Sequence, residues 1–97
     1  MIRQRILIID DEIDVCNLIS GTAAGLGVDC IVTTDAETFL SALTPNITLI
    51  LLDLVMPETD GIQILRQLGE RQCRAGIVLM RGMSKRVLET AEALTAR

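Results

Sequence analysis

Ile47-Thr48-Leu49-Ile50-Leu51-Leu52-Asp53 is the stretch that decides the fold. An uncharged run rich in Ile and Leu, set off by Pro45-Asn46 and closed by one acid, fits a strand buried on both faces. Strands of that kind belong to parallel sheets. Ile6-Leu7-Ile8-Ile9 shows the same pattern earlier in the chain and ends abruptly at Asp10-Asp11-Glu12. Val28 to Thr33 and Gly76 to Met80 are two further short strands. Helical spacing fills the intervals. From about Ile13 to Leu26 the apolar stripe is Val15, Leu18, Ile19, Thr22 and Leu26, with Gly27 as a natural stop. Asp35 can cap a helix running through Phe39 and Leu40 to Leu43. A loop with Pro57 and Asp60-Gly61 leads to a helix from about Ile62 to Leu68. Ser84 opens a last helix whose stripe is Val87, Leu88, Ala91 and Leu94. The order βαβαβαβα, with short connections, predicts an α/β fold: a doubly wound parallel sheet with helices on both faces.

Composition agrees with one small domain. The chain has 97 residues, 49% hydrophobic and 23% charged, which excludes a disordered tail. Its core must be aliphatic, because 14 Leu, 12 Ile and 6 Val stand against one aromatic, Phe39. No apolar run is long enough to span a membrane, and the N-terminus leads into a strand rather than a signal peptide. Cys16, Cys30 and Cys73 form no Cys-x-x-Cys pair, so they read as small hydrophobes in a reducing cytoplasm. The net charge of −4 is unevenly spread: residues 1–60 hold ten acids and two Arg, residues 61–97 three acids and seven bases. An acidic first half without aromatic stacking platforms argues against nucleic acid as a direct partner.

Ligands of such sheets bind at the carboxyl ends of the strands, beside a switch in strand order. Two strands end in acids there: Asp10-Asp11 after the first and Asp53 after the third. If those strands are neighbours, three carboxylates share one cleft. They coexist ionised only when a cation joins them or some pKa values rise. Oxygen ligands with no His or Cys select Mg²⁺ or a similar ion. A carboxylate beside Mg²⁺ is a feasible nucleophile toward a phosphoryl group. The plainer alternative is that Asp11 or Glu12 only caps the helix near Ile13.

Ile8-Ile9-Asp10-Asp11-Glu12, Leu51-Leu52-Asp53-Leu54-Val55-Met56-Pro57 and Asp60-Gly61 together resemble the receiver domain of bacterial two-component response regulators, a flavodoxin-like fold. The resemblance runs from about residue 5 to the end. It implies that Asp53 is the phosphoacceptor, charged by a sensor histidine kinase or phosphotransfer protein. It further implies that Asp11 ligates Mg²⁺ directly, Asp10 largely through water, and Val55 through its backbone carbonyl. Pro57 and Gly61 would shape the loop over the site.

Two features depart from the pattern. Receivers end the fourth strand with a Ser or Thr, and here Arg81 holds that place unless the register slips to Ser84. A guanidinium is long, planar and permanently charged, so it does not mimic a hydroxyl. Arg81 either reaches Asp53 as a charge-assisted partner, competing with the cation, or points to solvent. Receivers also have a fifth strand, ending in a Lys, and a fifth helix. The expectation from length is therefore a single receiver domain over residues 1–97, incomplete at its C-terminus. Lys85 reads as a surface residue. The text around Gly82 to Ala91 faintly resembles receivers joined to cyclic-di-GMP phosphodiesterase domains, and no output domain is present in this chain.

Two functions from different classes follow. One is a phosphorylatable switch. The other is a degenerate receiver that dimerises or docks without phosphorylation, favoured by Arg81 and opposed by the intact acids. A Mg²⁺ phosphohydrolase would need Asp-x-Asp after the first strand, and a nucleotide or flavin binder a glycine-rich phosphate loop; neither pattern occurs. The apolar run Ile77-Val78-Leu79-Met80, with no charge or Pro to blunt it, predicts self-association through strand four and helix four.

Overall fold

The computed structural model of the chain describes residues 4–57 and 59–81. The expected last helix, with Ser84, Lys85, Val87, Leu88, Ala91 and Leu94, lies outside the described residues. Within them the elements alternate: β1 (Arg5–Ile9), α1 (Ile13–Gly25), β2 (Asp29–Thr33), α2 (Ala36–Ala42), β3 (Leu49–Asp53), α3 (Gly61–Glu70) and β4 (Gly76–Met80). The four strands form one parallel sheet in the order β2-β1-β3-β4. The two acid-tipped strands are thus central neighbours, as the cleft requires.

Side chains alternate across a strand, so each strand serves two layers. Leu7 and Ile9 of β1 join Ile50 and Leu52 of β3 on one face, with Phe39 of α2 and Ile64 and Leu68 of α3 packed over them. All seven are essentially inaccessible to water. Phe39, the single aromatic, is 0% exposed and contributes about 2–3 kcal/mol by leaving water. Ile8 points to the opposite face, where α1 packs along β2 with Val15, Cys16 and Ala23 buried. At the β4 edge Ile77, Val78 and Leu79 remain 39–48% exposed.

The buried face of α1 differs from the expected stripe. Val15 is buried as expected, but Cys16 and Ala23 take the places given to Thr22 and Leu26. The Thr22 hydroxyl, on the exposed side, donates to the Leu18 carbonyl at 2.9 Å. Leu26 is 76% exposed because the helix has already ended. Gly27, at φ 73°, closes it: Val28 N–H donates to the Ala23 carbonyl at 2.9 Å and Gly27 N–H to Ala24 at 3.1 Å, a left-handed cap that suits glycine. Small residues at 16 and 23 let the helix approach β2.

Caps set the other helix starts. Asp35 Oδ1 accepts the Thr38 N–H at 2.8 Å and Oδ2 its hydroxyl at 2.8 Å, so the carboxyl is held below its usual range by those donors. Asp60 Oδ1 accepts from Ile62 N–H at 3.0 Å and Gln63 N–H at 3.3 Å, starting α3 at Gly61. A Cβ at Gly61 would stand 2.9 Å from Leu54 Cδ2 and 3.2 Å from Leu54 Cα. The helix therefore begins tight against the residue following Asp53.

Candidate functional site

Pairing of Ile9 with Leu52 places Asp10 and Asp53, the next residues on each strand, side by side at the carboxyl edge. Asp10 is 2% exposed and Asp53 1%, while Asp11 is open to solvent. One oxygen from each of Asp10, Asp11 and Asp53 lies within 4.8 Å of the others. The three residues singled out from the sequence are brought together.

Backbone amides aim these carboxylates. Glu12 N–H donates to Asp10 Oδ1 and Val55 N–H to Asp53 Oδ1, each at 2.9 Å. Both are short turns in which the acid folds over its own following loop. The loops are anchored in turn: Asp10 N–H donates to the Thr33 carbonyl at 3.2 Å, and Leu54 N–H to the Met80 carbonyl at 2.8 Å. The Thr33 hydroxyl, 3% exposed, donates to the Ile8 carbonyl at 2.6 Å. Thr33 and the Glu12 and Val55 amides are supports that sequence reasoning did not single out. A backbone donor has no side-chain signature, and Thr in a strand reads as an ordinary β-former.

Glu12 is the residue before α1, yet its side chain makes no capping hydrogen bond. The capping alternative for the acids after β1 is therefore not what the structure uses. Cys16 lies beneath Asp10, its thiol donating to the Asp10 carbonyl at 3.6 Å. Burial, with the charge of Asp10 adding, pushes this thiol up to about 11, so it acts as packing rather than as a nucleophile.

Burial pushes Asp10 up to about 6, against the lowering pull of the Glu12 N–H; the Asp53 charge, a hydrogen bond to Asp53 and the Asp11 charge push in the same direction. The cluster is short of positive charge, and hard carboxylate oxygens are the donor set that Mg²⁺ prefers. These residues fit such an ion. Val55 is 60% exposed at the mouth. Arg81 directly follows Met80, the register partner of Asp53, and is exposed. Among the described residues no carboxylate pairs with it. Beside the acids a cleft of about 530 Å³ runs between Asp11, the Thr34–Glu37 segment and the Met56, Pro57 and Thr59 loop.

A parallel sheet of this order, with buried acids at the tips of its two central strands, marks a class. The chain matches the response regulator receiver domain family over residues 6–97 and belongs to it. It is 36% identical over 76 residues to the transcriptional regulatory protein CpxR of Escherichia coli (strain K12), covering 78% of this chain and 32% of that protein. It is 32% identical over 78 residues to the alkaline phosphatase synthesis transcriptional regulatory protein PhoP of Bacillus subtilis (strain 168), covering 79% and 32%. The chain thus spans about a third of the length of these relatives. A solved structure of histidine kinase ThkA in complex with response regulator protein TrrA matches with a TM-score of 0.70 and 25% identity, covering 86% of this chain and 73% of the matched one. The chain is a receiver domain of two-component response regulators, with the flavodoxin-like fold expected.

Proposed function

We propose that residues 1–97 work as one phosphoacceptor unit in which Asp53 takes a phosphoryl group from a phosphohistidine of a sensor kinase or phosphotransfer protein. The observation that carries this reading is the convergence of Asp10, Asp11 and Asp53 within 4.8 Å. A carboxylate oxygen of Asp53 forms the new O–P bond as the P–N bond to histidine breaks and the imidazole leaves with the electron pair. Asp10, Asp11, Asp53 and the Val55 carbonyl would hold Mg²⁺, which supplies charge neutralisation for the transferring oxygens. The Val55 N–H fixes the acceptor's orientation by holding Oδ1. Among the described residues no helix is long and apolar enough to cross a membrane, and phosphotransfer of this kind belongs in the cytoplasm.

Incubating the chain with acetyl phosphate and Mg²⁺, then measuring intact mass, tests the assignment. One phosphoryl adduct is expected in the wild type and none in Asp53→Ala. An adduct that survives Asp53→Ala overturns it.

The exposed Arg81 favours a second reading, a receiver that docks or self-associates without phosphorylation. The β4 edge, without a further strand among the described residues and with Ile77, Val78 and Leu79 half-exposed, supports pairing there with another copy. Sedimentation of the unphosphorylated chain across a concentration series distinguishes the two: association without any donor supports docking, and a monomer that changes state only on phosphorylation supports the switch.

A further inference from the structure

A second cavity, of about 310 Å³, opens at the far end of the sheet, between the loop after α2 and the loop after α3. It lies just before β3 and β4, and its nearest lining residue on that side, Ile47, is six positions from Asp53, about 20 Å at 3.3 Å per residue. Its apolar lining is the buried Ile47 with the partly buried Leu43, Cys73 and Ala75, and Thr44 and Pro45 stand exposed at its edge. Its rim carries Arg71, Gln72 and Arg74, and no acid lines it. Among the described residues neither guanidinium has a carboxylate partner.

Gln72 makes this corner unusual. It is the one described residue other than glycine with positive φ, at 53°. It closes α3 through the same pair of bonds that Gly27 makes for α1: Cys73 N–H to the Leu68 carbonyl at 3.0 Å, and Gln72 N–H to Gly69 at 3.1 Å. Glycine performs that cap without strain, and the chain uses it at the end of α1. At the end of α3 the position carries a long polar side chain instead, directed at no described hydrogen-bond partner. Strain retained at a residue that lines a cavity points to the side chain being used.

We infer that this cavity binds a small organic anion, a carboxylate or phosphate group on a short apolar body, with Arg71 and Arg74 taking the charged head, Gln72 donating to it and the Leu43–Ile47 floor taking the body. The volume suits a ligand of roughly ten heavy atoms or fewer. A double arginine rim without acids rejects cations, and the apolar floor disfavours a bare inorganic ion. The site is separate from the carboxylate cluster and of opposite charge.

Hexanoate is a suitable probe, followed by amide nuclear magnetic resonance shifts of the 97-residue chain. Saturable shifts confined to residues 43–47 and 71–75 are expected, with a Kd of about 1–10 mM for so small a ligand. Hexanol should bind about tenfold more weakly, because it keeps the body and lacks the charge. Inorganic phosphate should do the same, because it keeps the charge and lacks the body. The double replacement of Arg71 and Arg74 by Ala, both on the exposed rim, should weaken hexanoate about tenfold while the remaining spectrum stays unchanged. Gln72→Gly, which preserves the cap, should weaken it about threefold. Absent or unsaturable shifts, equal binding of hexanol or phosphate, or undiminished binding in the Arg variants would each overturn the proposal.

Discussion

Replacing Asp10 by Asn should make the chain more stable at neutral pH and remove the share of pH dependence that Asp10 is expected to give the wild type. Asp10 rises from 3.8 to about 6 on folding, chiefly through burial. A carboxyl whose folded pKa is raised stabilises the fold fully below 3.8, and that contribution is lost as pH climbs through 6. Two pKa units correspond to about 3 kcal/mol. Water at the cleft mouth, reached through the exposed Asp11, screens part of this, leaving about 1–2 kcal/mol. Asn keeps an oxygen for the Glu12 N–H, so the turn survives the change. Urea unfolding at pH 4.5, 6 and 7.5 with a metal chelator present measures the effect. The wild type should lose about 1–2 kcal/mol across that window relative to Asp10→Asn, and millimolar Mg²⁺ should restore it at pH 7.5 in the wild type only. Parallel pH profiles in the two proteins would refute the reasoning.

Gly61→Ala should lower stability by about 1–2 kcal/mol, seen as a lower Tm, because the new methyl meets Leu54 at 2.9 Å and its Cα at 3.2 Å. Asp60→Ala should cost about 1 kcal/mol in urea unfolding, since Ile62 and Gln63 N–H lose their acceptor. Gln72→Gly should raise stability by up to about 1 kcal/mol by relieving the positive φ, and an unchanged or lower midpoint would contradict the strain assigned there.

Most of the site is legible in the sequence. The Ile- and Leu-rich runs at Ile6–Ile9 and Ile47–Leu52 mark strands of a parallel sheet, each closed by an acid, and the acids meet because β1 and β3 are neighbours in the sheet. Helix ends were readable where a cap has a side-chain signature, as at Asp35 and Gly27. The Asp60 cap is not distinguishable in sequence from a turn, since Asp-Gly suits both. The wrong face of α1 has a simple cause. Its apolar residues lie nearly all round, so periodicity alone does not choose between Thr22 or Leu26 and the small Cys16 or Ala23; closeness to β2 does. The left-handed Gln72 was invisible because glutamine carries no turn preference, and with it went the cavity at the lower end of the sheet.

The parallel ladder also has a kinetic consequence. Arg5 meets Asp29 across 24 positions and Thr48 across 43, so β1 finds its partners only after long loops close. In the unfolded ensemble the acids of β1 and β3 are far apart and do not repel. Their repulsion enters when β1 and β3 align to their tips, a step that requires the long β1–β3 loop to have closed. It should therefore act mainly on the escape rate from the folded state, with little effect on the approach to it. A cation bound by the cluster would slow unfolding more than it speeds folding, prolonging the lifetime of the folded receiver.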